Sequence, residues 1–549
     1  MKRATALLLV SLALLAAAPP PLQSDGGMVA ADHELASRAG AEMLARGGNA
    51  IDAAVATALA SGVVQPAGSG LGGGGFAVVT DGSRHYVLDF REVAPAAGHP
   101  TMYQDEAGEV VEGLSRNGGL AVAVPGEGRG LARLLAEHGT MRPSDVVKPA
   151  IRLAGRGFPL GAHLHAALMK QPGMVILFDA LTEVPKQGEL VRRRTLASTL
   201  DGWARSKGEA LNVGPLAGDI VATVQAEGGI LTLEDLASYQ PVEREPLVGH
   251  YRGYTVVTMP PPSSGGAVLL QALAVLEGYE LEPLGHNSSD HIHLLAETFQ
   301  HAYADRAAVM GDPDFTDVPV DAMLDPERIA EIQRSIWPAR TFDRQDYGAG
   351  YALPEDAGTL HVSVIDETGL GVALTTTINT SFGSKVVAPK SGVLLNNEMD
   401  DFVSKPGVPN AYGLIGREAN AVEPGKKPLS SMTPTLLINP EGEVVMAVGG
   451  SGGSFIISST LQVLSNVVDF GMDPEEAVSA PRMHHQWVPE TLFVDEGISL
   501  DTIGALEGRG HTVTQMGFYS AVQVVLVEDG HTEGASDPRK GGRPAPGAL

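Results

Sequence analysis

Between Leu360 and Ile365 the side chains fall into two alternating sets, Leu360, Val362 and Val364 against His361, Ser363 and Ile365. A period of two demands a β-strand with a different environment on each face. Gly371 to Ile378 reads as a second strand, joined to the first by Asp366-Glu-Thr-Gly, whose residues favour a turn, so the two form a hairpin. Thr359 opens the first strand and is preceded by Gly358. A threonine there has two readings. It is a β-branched residue at a strand edge. Alternatively, if the bond before it is cut, it is a nucleophile whose own α-amine serves as general base to its hydroxyl.

The rest of the chain alternates helical and strand-like segments without internal repeats. Asp32 is placed to cap a helix running through Leu44 and stopped by Gly47-Gly48, and Asn49 to Val63 is so uniformly apolar that it reads as a buried helix. Strands are expected at Phe76–Thr80 and Tyr86–Phe90, and further helices at Pro143–Ala154, Leu196–Ser206, Gly266–Glu277, Asp290–Met310 and Ile456–Asp469. Residues 341–358, rich in Gly, Pro, Asp and Tyr, read as an exposed connector into Thr359. With 549 residues and 44% hydrophobic side chains the chain can bury a large core, here expected to form one large domain.

Residues 1–18 read as a cleaved secretory signal: Lys2 and Arg3, an apolar run from Ala4 to Leu15, then Ala16-Ala-Ala. The run is too short to span a bilayer, which takes about 20 apolar residues, and the location expected is periplasmic or secreted. The sequence has no cysteine, so covalent catalysis must use oxygen or nitrogen and thiolate metal sites are excluded. A formal charge of −27 makes nucleic acid and anionic membranes poor partners.

Several strings resemble the γ-glutamyltranspeptidases, a family of self-cleaving N-terminal-nucleophile hydrolases. They are Gly47-Gly-Asn-Ala-Ile-Asp-Ala-Ala, Leu71-Gly-Gly-Gly-Gly-Phe, Phe90-Arg-Glu-Val-Ala-Pro, Met259-Pro-Pro-Pro-Ser-Ser-Gly-Gly, Thr359-Leu-His-Val-Ser-Val-Ile-Asp, Thr377-Ile-Asn-Thr-Ser-Phe-Gly, Leu395-Asn-Asn-Glu-Met-Asp-Asp-Phe, Pro428-Leu-Ser-Ser-Met-Thr-Pro-Thr and Gly449-Gly-Ser-Gly-Gly-Ser. The resemblance implies the α+β class and a four-layer αββα sandwich. It also implies self-cleavage before Thr359 into a large subunit, 19–358, and a small one, 359–549, which stay together as a heterodimer.

The same resemblance assigns candidate roles. Thr359 is the nucleophile, Thr377 supports its hydroxyl, and Gly452 and Gly453 offer amides to an oxyanion. Arg91, Ser430 and Ser431 are to bind the α-carboxylate of a glutamyl group, Asn379, Glu398 and Asp401 its α-ammonium, and Tyr412 gates a lid loop, Pro409-Asn-Ala-Tyr-Gly-Leu-Ile-Gly-Arg. Small γ-glutamyl compounds such as glutathione, with acceptor amino acids or peptides, are the expected substrates, and no cofactor is expected. Two departures stand out: Leu360 where many members have a second threonine, and Glu398 where some relatives have Gln.

His293, Glu297 and His301 recur at four-residue steps, and His163 with His165 and His484 with His485 form pairs. None has a separately placed third ligand visible in the sequence, and no metal is assigned. Leu71-Gly-Gly-Gly-Gly-Phe lacks the Lys-Ser/Thr of a phosphate-binding loop. His484-His-Gln-Trp and Gly534-Ala-Ser-Asp-Pro-Arg read as structural. The alternatives are a sister amidase such as a cephalosporin acylase, or a binding protein that never matures.

Overall fold

Leu360–Ile365 and Gly371–Thr377 pair antiparallel, Leu360 opposite Thr376 and Val364 opposite Val372. Asp366 closes the turn by accepting from the amides of Thr368 and Leu370 through Oδ1, while its Oδ2 accepts from the amide of Ala50 at a helix start. Gly369, at φ +83°, takes the left-handed position the turn requires. The computed structural model describes residues 21–343, 347, 358–517 and 520–547. The expected signal, residues 1–18, and most of the connector before Gly358 lie outside the described residues.

This hairpin is the middle of a seven-stranded sheet ordered Ala545–Pro546, Met28–Ala31, Leu360–Ile365, Gly371–Thr377, Gly74–Thr80, His85–Asp89, Val242–Arg244. A second seven-stranded sheet runs Leu22–Ser24, His531–Ser536, Ala521–Glu528, Val444–Ser451, Thr435–Ile438, Tyr254–Thr258, Leu247–Tyr251. Neighbouring strands in both are antiparallel. Strand alternation sorts side chains between layers. Val362, Val364, Val372 and Leu374 pack outward under the helices Glu34–Leu44 and Ala50–Val64. Ala30, Phe76, Val78, Ile365 and Ala373 face inward, against Val257, Leu436, Ala447 and Val525 of the second sheet. Gly265–Leu276, Ser289–Val309 and Phe455–Val468 cover the second sheet's outer face. The result is the expected four-layer αββα sandwich of the α+β class.

Ala50–Val64 is buried along its whole length, which accounts for its having no polar face. Asn49 starts it with a capping box, accepting from the amides of Ile51 and Asp52 while Asp52 accepts from the Asn49 amide. Two expectations need correction. The cap of Glu34–Leu44 is His33, whose Nδ1 accepts from the Leu35 amide, because Asp32 turns inward to accept from the His361 amide at 2.7 Å and from Ser451 Oγ at 3.0 Å. The helix expected over Pro143–Ala154 is two pieces, Pro143–Val146 and Lys148–Arg156, since Pro149 has no N–H to give to residue 145. No helix among the described residues is long and apolar enough to cross a membrane.

His361 sits between the sheets, where burial pushes its imidazole down to about 3 and keeps it neutral; its ring nitrogens contact Thr375 Oγ1 at 2.8 Å and Ser363 Oγ at 3.1 Å. The ring fits because the residue facing it is Gly449: a Cβ there would lie 2.3 Å from His361 Cε1. Gly449→Ala therefore overpacks the sandwich and is expected to cost about 1–3 kcal/mol. Thermal unfolding should show a lowered midpoint, and His361→Ala in the same chain should recover part of the loss.

Candidate active site

Thr359 lies at the mouth of its strand, only 3% exposed. Its Oγ1 donates to the carbonyl oxygen of Gly358 at 2.5 Å, and Thr377 Oγ1 donates to the same oxygen at 2.8 Å. The two hydroxyl oxygens are 3.1 Å apart, as the hairpin register allows, and the Asn379 amide donates to Thr377 Oγ1. A Cβ on Gly358 would lie 2.7 Å from the Thr380 carbonyl oxygen and 2.8 Å from that of Ala67, so no larger residue fits at the junction without movement. The glycine-rich run passes just behind: a Cβ on Gly73 would meet the Thr377 carbonyl oxygen at 1.9 Å. From the other side, Lys540 Nζ donates to the Thr359 carbonyl oxygen at 2.9 Å and to Ser451 Oγ at 2.7 Å.

Thr359 opens onto a small cavity, and every residue given a candidate catalytic or substrate-binding role above except Gly452 lines it. Gly452 and Gly453, at φ +133° and +59°, turn the chain from Val444–Ser451 into the helix Phe455–Val468, so they serve as a turn and, through Gly453, as cavity wall. Leu414, Leu429, Met432 and Ile456 add an apolar lining that the sequence did not single out.

Arg91 is fully buried and spans both halves of the expected clamp. Its Nη1 pairs with Glu398 Oε1, its Nη2 with Asp401 Oδ2 at 2.5 Å, and its Nε donates to the Pro428 carbonyl. Burial works against the guanidinium's charge, but the two carboxylates outweigh it and raise its pKa. Burial likewise raises the carboxyls, Glu398 to about 7 and Asp401 to about 6, with Arg91 pulling the other way. Ser430 and Ser431 also line the cavity, Ser430 Oγ accepting from the Met432 amide.

The loop expected to be a lid is tied down by hydrogen bonds. Tyr412 OH donates to Asn379 Oδ1 at 2.5 Å, the Ala411 amide to Asp400 Oδ2 at 2.8 Å, and the Leu414 amide to Asn410 Oδ1 at 3.1 Å. Asn379 holds φ +74°, a left-handed conformation that Asn tolerates better than most residues, and its Nδ2 donates to the Asn397 carbonyl. The strings read as structural also reach the site. Gln486 donates to the Tyr412 carbonyl, and Lys540 follows directly on Asp-Pro-Arg. The sequence reading missed Lys540, whose only signal was its place after Asp-Pro-Arg, and gave no site role to Asp32, read as a helix cap, or to Ser451, inside the string that begins at Gly449.

A family profile, gamma-glutamyltranspeptidase, matches residues 36–547. The glutathione hydrolase proenzyme of Escherichia coli (strain K12) is 40% identical over 530 residues, 94% of this chain and 91% of that protein. The cephalosporin acylase of Bacillus halodurans superposes with a TM-score of 0.84 at 29% identity, over 96% of this chain and 97% of that one. The gamma-glutamyltranspeptidase of Helicobacter pylori gives 0.56 at 39% identity, over 58% of this chain and 93% of that one.

Removing the Tyr412 hydroxyl leaves Asn379 Oδ1 without that donor. Tyr412→Phe is expected to loosen the loop by about 1.4 kcal/mol, within the range for a buried hydrogen bond. Hydrogen exchange should then run about tenfold faster at the amides of Ala411 and Leu414, with the sheets unchanged.

Proposed function

Since the chain belongs to the gamma-glutamyltranspeptidase family, we propose that it is a γ-glutamyltransferase and glutathione hydrolase that matures by cutting itself before Thr359. The observation that carries this reading is the meeting, in one cavity, of a threonine hydroxyl on the Gly358 carbonyl and a buried Arg91 paired with two carboxylates.

In maturation, Thr359 Oγ attacks the Gly358 carbonyl carbon, its proton passes to the departing amide nitrogen, and the resulting ester is hydrolysed by water. The products are a carboxylate on Gly358 and a free amine on Thr359. Lys540, holding the Thr359 carbonyl, keeps the residue in place while the bond on its other side breaks. In turnover the new amine takes the hydroxyl proton as Thr359 Oγ attacks the γ-carbonyl of the donor. The leaving amine departs protonated, and water or an acceptor amine resolves the γ-glutamyl ester. Amides at Gly452 and Gly453 stabilise the oxyanion, each such donor typically worth about 3 kcal/mol, and Thr377 donates to the nucleophile.

Recognition works by replacement. The substrate's α-carboxylate takes Arg91, helped by Ser430 and Ser431, while its α-ammonium takes Glu398, Asp401 and Asn379. A zwitterion therefore offers an anion to Arg91 and a cation to the carboxylates that Arg91 gives up. The large and small subunits, 19–358 and 359–549, remain a heterodimer, and the location is periplasmic or secreted.

Denaturing electrophoresis should show two fragments for the parent chain, with Thr359 as the amino terminus of the smaller, and a single inactive chain for Thr359→Ala. An uncut parent chain with full activity would refute the reading. A glutaryl amide, which lacks the α-ammonium, should be turned over at least about 100-fold less efficiently than γ-glutamyl-p-nitroanilide. Equal turnover would favour the acylase alternative.

The carboxyls that receive the ammonium are ionised only above their raised pKa values, about 7 for Glu398 and about 6 for Asp401. Accordingly kcat/KM should fall as pH drops through that window, and Glu398→Gln should remove the upper step.

A further inference from the structure

Away from the catalytic cavity, two distant parts of the chain bring together three side chains of metal-ligand type. His293 and Glu297 stand one turn apart on the helix Ser289–Val309 and share a face. His511, just before the strand Val513–Met516, brings its Nε2 to 2.7 Å from His293 Nδ1. It is the third ligand that sequence spacing did not reveal. All three residues are buried, and their ligating atoms lie within 4.8 Å of one another. His301, the next step along the helix, is directed elsewhere and meets Ser335 Oγ at 2.8 Å.

Two features point to a cation. First, the partners of the buried Glu297 carboxylate are neutral donors: Thr341 Oγ1 at 2.6 Å, Tyr347 OH at 2.7 Å and Gln300 Nε2 at 2.9 Å. Among the described residues no cationic side chain forms an ion pair with it, and an uncompensated buried charge is costly. Second, His293 Nε2 lies 2.8 Å from the Trp337 carbonyl, which can only accept, so the proton sits on Nε2 and the Nδ1 lone pair faces the cluster. A backbone carbonyl holding the far nitrogen is the support that fixes the tautomer of metal-ligating imidazoles.

We propose that His293 Nδ1, His511 Nε2 and the Glu297 carboxylate bind one divalent cation of the zinc class, with a water as the fourth ligand. Two imidazoles and a carboxylate suit that ion, with bonds of about 2.0–2.2 Å. On binding, His511 moves its proton from Nε2 to Nδ1, His293 keeps its own, and no electron is transferred. The ion joins the helix Ser289–Val309 to the 511 loop. Through Glu297 it also braces Thr341 and Tyr347, at the start of the segment leading to Gly358.

The test uses the full chain as purified, stripped with a chelator, dialysed, and titrated with zinc chloride and, separately, cobalt chloride. The expected result is one zinc per chain by calorimetry and elemental analysis, a rise in Tm, and visible cobalt bands of a tetrahedral site with nitrogen ligands. His511→Ala and Glu297→Gln should each weaken binding by at least about 100-fold, and His301→Ala should leave it unchanged. Folding of each variant is checked by circular dichroism. If a variant does not fold, the parent chain's stoichiometry and cobalt spectrum decide. Absence of stoichiometric zinc binding by the folded parent chain would overturn the proposal, as would equal binding by folded His511→Ala and Glu297→Gln.

Discussion

The ammonium group of Lys540 fastens the two sheets together at the end where Thr359 lies. It binds the Thr359 carbonyl of the first sheet and Ser451 Oγ of the second, with Asp32 Oδ1 3.8 Å away. Burial raises the Asp32 carboxyl pKa, and Lys540 is the first influence opposing that rise. Either charge alone in this interior would cost several kcal/mol; the two face each other across Ser451 Oγ, which accepts from Lys540 and donates to Asp32. Thr359 is consequently located by both sheets at once. At Gly358, Gly73 and Gly449 another backbone or, at Gly449, the His361 ring lies so close that a Cβ has no room.

Four of the first sheet's seven strands were legible from local signals, and its central hairpin shows how. Leu360–Ile365 alternates, and the turn Asp366-Glu-Thr-Gly joins it to Gly371–Thr377. The second sheet was expected only through resemblance, and none of its strands was named from the residues. Val444–Ser451 shows why: buried on both sides for nearly its whole length, it reads as a continuous apolar run ending in glycines, which periodicity does not separate from a buried helix. Thr435–Ile438 is only four residues long and leaves no room for a pattern. The cavity residues were found because they sit in recognisable strings, whereas Leu414, Leu429, Met432 and Ile456 have no chemistry to advertise. Asp32 illustrates the opposite failure. Its position before a helix has an obvious local explanation, but a partner 329 residues away, the His361 amide, takes the side chain instead.

The cavity sets opposite charges against each other. Arg91 pairs with Glu398 and Asp401, and Tyr412 OH reaches Asn379 on the same cavity wall. A lone anion or a lone cation would compete for one half and strand the other in a poorly hydrated place. Selectivity for an amino-acid head group can thus arise from the penalty for separating the set as much as from attraction to the ligand.

The order of strands has its own consequence for a chain broken after Gly358. In the first sheet, Met28–Ala31 and Gly74–Thr80 flank the central hairpin; in the second, Leu22–Ser24 and Tyr254–Thr258 flank the four strands between them. Segments from before the break would therefore clasp segments from after it on either side of both ladders. Prising the pieces apart would expose rows of unpaired backbone amides and carbonyls and empty the inter-sheet core, which amounts to global denaturation. Such fragments are topologically one molecule without a covalent link, and neither carries a complete sheet on which to fold by itself.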